Sequence, residues 1–152
     1  MSTAYIGIGA NLGDREATIR DALDLLRAEP GIAVEAVSAL RDTEPVGVVD
    51  QPRFLNGAAR LATALPPREL LERLLAIEAR LGRVRTGEKD GPRTIDLDLL
   101  VYDAEVVAEP GLRLPHPRLA ERRFVLEPLA ELDPGLVVPG LGTVRELLAG
   151  LE

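Results

Sequence analysis

The segment Gly91-Pro-Arg-Thr-Ile-Asp-Leu-Asp-Leu-Leu restricts the fold more than any other stretch of the chain. Side chains along a β-strand point alternately to its two faces, so Ile95, Leu97 and Leu99 turn toward a core while Asp96 and Asp98 share the other face. Aspartate is a poor strand former, and two of them this close need compensation. At about 3.3 Å rise per residue their Cα atoms lie about 6.6 Å apart. Carboxylates at that spacing can share a pair of magnesium ions about 3.5–4 Å apart. The plainer alternative is the solvent-facing polar side of an ordinary strand.

Other elements assemble around this strand. Thr3 to Ala10 is short and apolar, with Ile6 and Ile8 alternating with glycines, and is expected to be a buried strand. Asp14 is a suitable N-cap for a helix over 14–28, in which Ile19, Ala22, Leu23 and Leu26 repeat at helical spacing before Pro30-Gly31 ends it. Ile32, Val34, Ala36, Ser38 and Leu40 alternate over 32–41, predicting a second strand. Residues 44–53, with Pro45, Gly47 and Pro52, form a loop, and residues 54–64 a third strand. Pro66-Pro67 opens a second helix along Leu70, Leu74, Ile77 and Leu81, stopped by Gly82. A strand from Thr94 to Tyr102 follows. Then come a proline-punctuated stretch from Pro110 to Pro117, a helical segment over Leu119–Leu132 and a short helix over Thr143–Leu151. The order strand, helix, strand, strand, helix, strand predicts a ferredoxin-like α+β sandwich with C-terminal additions, built as a single domain over 1–152.

Composition narrows the chemistry. There is no cysteine, which removes disulfides, thiolate metal sites and cysteine nucleophiles. A net charge of −7 argues against bulk nucleic-acid binding. No run approaches the roughly 20 apolar residues that span a bilayer, and the start lacks a secretory pattern, so a cytoplasmic protein is expected. Against this acidic background Arg80, Arg83, Arg85, Lys89 and Arg93 face only Glu88 and Asp90, a local +3 suited to a small, highly charged anion. The alternative is a solvated loop carrying stray arginines.

Magnesium prefers oxygen ligands and commonly completes its shell with substrate phosphates, to which arginines can add bidentate hydrogen bonds. A carboxylate pair beside an arginine loop therefore describes phosphoryl transfer. No Walker-type glycine-lysine motif is present, and Gly7-Ile-Gly9-Ala-Asn-Leu-Gly13 has the wrong spacing for a dinucleotide fingerprint. His116, the only histidine, is held extended between Pro115 and Pro117, as a loop residue or near the phosphates. Phe54 and Phe124, the only phenylalanines, pack in the core or flank a flat heterocycle whose edge Asn56 could read. Two rivals use parts of this pattern. A non-catalytic ligand-sensing domain would not need the carboxylate strand beside an arginine loop, whereas a metal-dependent nuclease or phosphatase could use the same aspartates.

Taken in order, Tyr5-Ile-Gly-Ile-Gly-Ala-Asn-Leu-Gly13, Asp50-Gln-Pro-Arg-Phe-Leu-Asn56, Glu78-Ala-Arg-Leu-Gly-Arg-Val-Arg85, Gly91-Pro-Arg-Thr-Ile-Asp-Leu-Asp98 and Pro115-His-Pro with Arg122 and Phe124 resemble the 6-hydroxymethyl-7,8-dihydropterin pyrophosphokinases of folate biosynthesis. The resemblance covers nearly the whole chain. It implies a transferase that moves the β,γ-pyrophosphoryl unit of ATP to the pterin hydroxymethyl group and releases AMP. By position, Asp96 and Asp98 would hold two Mg2+ ions and, with Arg83 and Arg93, form the catalytic set. Glu78, Arg83, Arg85, Arg93, His116 and Arg122 would contact ATP. Phe54 and Phe124 would sandwich the pterin, with Asn56 and the backbone of Thr43, Glu44 and Val46 at its edge. The partners implied are these small molecules, with no nucleic acid and no membrane, and a monomer is expected. The segment Gly82–Gly91 is expected to close as a lid. The chain departs from the family pattern at Asp90, where an aromatic residue is usual, and at Lys89, Phe54 and Leu75.

Overall fold

The computed structural model describes residues 1–11, 14–43, 54–82 and 95–151. Strand β1 (Ser2–Ala10) comes first, and helix α1 (Arg15–Ala28) starts where the Asp14 carboxylate accepts the Ala17 N–H at 3.1 Å. Ile19, Ala22 and Leu26 form the buried stripe of α1. Strands β2 (Ile32–Val37), β3 (Arg41–Thr43) and β4 (Phe54–Thr63) follow, then helix α2 (Pro67–Arg80) with proline in its first turn. Leu70, Leu74 and Ile77 are its buried apolar residues, and Gly82 takes up a φ of 105° just beyond it. Strand β5 (Asp96–Tyr102) completes the sheet.

The strands lie in the order β2-β4-β1-β5 with β3 also paired to β4, and every pairing is antiparallel. This is the α+β sandwich expected from the element order. Ile6, Ile8, Leu61, Leu97 and Leu99 face α1 and α2 in the larger core. Among the described residues the other face is covered at one end, where Tyr5, Ala58, Leu100 and Val101 pack under Leu119, Leu126, Leu129 and Val144 of the C-terminal segment.

That segment is more elaborate than the sequence reading. The stretch read as punctuated by prolines holds a hairpin, β6 (Val107–Glu109) and β7 (Leu112–Leu114), closed by Pro110-Gly111 with Gly111 at φ 76°. The helix expected over Leu119–Leu132 is split into a 3-10 turn, Leu119–Glu121, and helix α3 (Arg123–Leu132), with extended Arg122 between them. A small ribbon of β8 (Val137–Val138) and β9 (Gly142–Thr143) leads into α4 (Val144–Ala149), which carries a full Thr143–Glu146 capping box. The strand predicted over 32–41 also divides. Ser38 ends β2, its Oγ accepting the Ala58 N–H at 2.9 Å and donating to the Ala39 carbonyl at 3.0 Å. Pairing then resumes at Arg41.

Candidate functional site

The part of the sheet's second face that no other described element covers is floored by glycine. Gly9 pairs with Asn56 of β4 and with Asp96 of β5, and Gly7 pairs with Ala58 and Asp98. Directly opposed residues in antiparallel strands project from the same face, so Asn56, Asp96 and Asp98 rise together over the bare backbone of β1. At Gly9 the close approach of Asn56 leaves no room for a side chain without a shift of that amide: a Cβ there would stand 2.8 Å from Asn56 Oδ1, whereas one at Gly7 would meet nothing nearer than 3.5 Å. Phe54, two residues before Asn56, shares that face by strand alternation and is half-buried.

The β5 alternation expected from sequence is present. Ile95, Leu97 and Leu99 are buried while Asp96 and Asp98 keep partial exposure. The outer edge of β5 is held in two places. Glu78, buried on α2, accepts the Leu97 N–H through Oε2 at 2.7 Å. The His116 N–H donates to the Leu100 carbonyl at 2.9 Å. Between these points lies a cleft of about 370 Å³ lined by Leu71, Leu75, Glu78, Asp98, Leu112 and His116 among others.

Burial holds the His116 imidazole below the usual histidine range; Asp98 opposes that effect, while Arg122 and Arg118 add to it. Its Nδ1 accepts the Arg118 N–H at 3.2 Å, so the neutral ring carries its proton on Nε2. Arg122, at the head of α3, sets its guanidinium 5.5 Å from the centroid of the Phe124 ring. Beside the site, Arg15 at the start of α1 forks onto Asp42 of β3 with contacts of 2.8 and 3.4 Å.

The structure thus brings Asn56, Asp96 and Asp98 onto one face, gathers Glu78, Asp98 and His116 around one cleft, and joins Arg122 to Phe124. Thr43 closes β3 opposite Phe54. Arg83, Arg85, Arg93, Glu44 and Val46, and nearly all of the expected lid, lie outside the described residues. Among the described residues no group of three or more histidine, cysteine, aspartate or glutamate side chains clusters for a metal. Sequence reasoning missed Leu71, Leu112 and Arg113 as cleft walls. The turn dipeptide Pro110-Gly111 was the available signal for two of them. Glu78, which the resemblance sets against ATP, is buried and bonded to the strand that bears both aspartates.

A family model described as 7,8-dihydro-6-hydroxymethylpterin-pyrophosphokinase (HPPK) matches residues 5–134. The chain belongs to the HPPK family. Curated relatives agree with the assignment. A 2-amino-4-hydroxy-6-hydroxymethyldihydropteridine pyrophosphokinase of Methylorubrum extorquens is 50% identical over 152 residues, covering 100% of this chain and 95% of the relative. The Bacillus subtilis enzyme of the same name is 48% identical over 129 residues, covering 85% of this chain and 77% of its own length. Among solved structures, a wild-type Plasmodium falciparum HPPK-DHPS superposes with a TM-score of 0.78 at 14% identity, which speaks to fold alone. It covers 98% of this chain, whereas the chain spans 43% of that longer protein. This HPPK is therefore a pyrophosphokinase with the α+β fold of its family, and ATP is its co-substrate. Among the described residues no helix is long and apolar enough to cross a membrane.

Proposed function

We propose that this HPPK transfers the pyrophosphoryl group of ATP to 6-hydroxymethyl-7,8-dihydropterin and releases AMP, with two magnesium ions held by Asp96 and Asp98. One observation carries the reading: two carboxylates on a glycine-floored sheet face, one of them also lining the cleft that His116 closes. Two carboxylates, with no group of three or more histidine, cysteine, aspartate or glutamate side chains around them among the described residues, suit magnesium that completes its shell with water and phosphate oxygens. Magnesium, when bound, supplies neutralisation of triphosphate charge and a lowered pKa for the attacking hydroxyl.

The protein's own groups do the rest. The cleft beside β5 takes the nucleotide against Leu71, Leu75 and Leu112. His116 donates from Nε2 toward phosphate oxygens, and Arg83, Arg85, Arg93 and Arg122 supply cations around them. Phe54 and Phe124 hold the pterin ring, and the Asn56 amide and the backbone of residues 43–46 read its edge. Glu78 fixes β5, and with it the spacing of the carboxylates. The chain acts as a single-domain cytoplasmic monomer, and its net charge of −7 supports small-molecule partners over nucleic acid.

The test is to incubate the protein with ATP, the reduced hydroxymethylpterin and magnesium, then to identify the nucleotide formed. AMP formation that stops with EDTA and returns with magnesium supports the reading. ADP, or no nucleotide product, overturns it.

A further inference from the structure

Asn11 immediately follows β1, one position beyond the Ala10–Leu55 pair, so it leaves the sheet next in register to Phe54. It is 2% exposed, and among the described residues neither its amide nitrogen nor its amide oxygen has a hydrogen-bond partner. A primary amide offers two donors and an acceptor, and burying it with all of them unmet is costly. The described residues around it give no structural reason for an amide there. The preceding β1 residues are Ile8, Gly9 and Ala10, and α1 draws its cap from Asp14 instead. What does lie close in register is the wall formed by Phe54 and Asn56, the latter laid across Gly9.

We infer that Asn11 belongs to the pterin subsite and that its side-chain amide gains its hydrogen bonds when the pterin is bound. This rests on the reading of Phe54 and Asn56 as the pterin wall. Against the described residues, a buried polar group left unsatisfied does nothing for the free protein that an apolar side chain of like size would not do at lower cost. In the loaded state the pyrimidine edge of the ring, or water fixed by that edge, offers matching donors and acceptors. Asn11 is then a binding residue whose cost is carried by the free enzyme and recovered in the complex.

The experiment compares wild type with Asn11→Leu, and with Asn11→Met in case the branched side chain does not fit. Pterin affinity is followed by ligand fluorescence in the presence of magnesium and a non-hydrolysable ATP analogue. Affinity for the analogue and the melting temperature of the free protein are measured alongside. The expected result is a pterin Kd raised by about tenfold, the effect of one or two lost hydrogen bonds. Nucleotide affinity should stay within about twofold, and free-protein melting should be unchanged or higher. Unchanged pterin affinity overturns the inference. So does a lower melting temperature of both free variants, since the amide would then be satisfied without ligand. Failure of the wild type itself to bind the pterin would instead overturn the underlying subsite reading.

Discussion

At the level of single residues, Asp96 and Asp98 matter because they take no part in the large core beneath β5. Asparagine at either position keeps volume and strand geometry while removing the charge a divalent cation needs. Both variants should stay folded by circular dichroism while magnesium-dependent AMP release falls by at least about 100-fold. Near-normal turnover in a folded variant would refute the metal reading. Phe124 makes a different demand. Its ring already lies near the Arg122 guanidinium, so Phe124→Ala removes a stacking surface and loosens a cation beside it. Pterin binding should weaken by about 1–3 kcal/mol, as for bases stacked on protein aromatics, and ATP binding by clearly less. Equal losses for the two ligands would mark Phe124 as a packing residue. The aspartates were legible in the sequence because strand alternation is strict. The arrangement of Arg122 against Phe124 was not, since nothing in the spacing of two neighbouring residues says that extended backbone will come between a 3-10 turn and a helix.

Among the elements, the contact of α2 with β5 decides where the carboxylates stand. Glu78 occupies a position that helical periodicity places next to the apolar stripe, yet it is buried because its carboxylate accepts the Leu97 N–H. Glu78→Ala leaves that buried donor without its partner and should cost about 1–3 kcal/mol in urea denaturation. Glu78→Gln retains an oxygen acceptor and should lose much less. Similar losses for the two would mean that the charge, not the hydrogen bond, is what β5 uses. Other elements were hidden from the sequence for local reasons. The alternation over 32–41 continues through Ser38, but there the serine hydroxyl bonds to the Ala58 N–H and to the Ala39 carbonyl. A Cβ at Gly57 would meet Leu40 Cδ2 at 2.8 Å, so the 38–40 bridge runs close over a residue that must be small. In α3, Pro128 offers no N–H to the Phe124 carbonyl one turn back, and the helix is maintained by Leu126 and Leu129 in the second core.

For the molecule as a whole, the C-terminal segment is bound to the sheet by polar clasps as well as by its core. Arg41 of β3 reaches Glu131 of α3 at 2.8 Å, and the same carboxylate accepts the Ala39 N–H at 2.8 Å. The Tyr5 hydroxyl donates to Asp133 at 2.9 Å. Burial, reinforced by Asp133, pushes the Tyr5 phenol up to about 12. In the unfolded chain it would ionise near 10. Between those values the folded state holds the extra proton, so stability falls as pH rises from about 10 to about 12. Tyr5→Phe should flatten that part of the stability profile, at the expense of one hydrogen bond near neutrality, as thermal melts across the alkaline range would show. An unchanged slope would mean that other groups govern the alkaline limit. The βαββαβ frame was readable from the order of periodic segments. The cover on one end of the second face was not, because it depends on contacts of Leu119, Leu126 and Val144 with residues as widely scattered along the chain as Tyr5, Ala58 and Val101.

β5 also lies at the end of the strand order β2-β4-β1-β5. A strand reading Asp-Leu-Asp-Leu-Leu-Val-Tyr with an unguarded edge would invite a strand from another molecule. The Glu78 carboxylate and the His116 N–H occupy that edge at Leu97 and Leu100, so the groups that shape the site also stand guard against self-assembly. Protection of the edge and the geometry of the candidate site are therefore not separable traits along this strand. Glu78→Ala should scatter light on mild heating well before Glu78→Gln does, and it should do so even where no substrate is present.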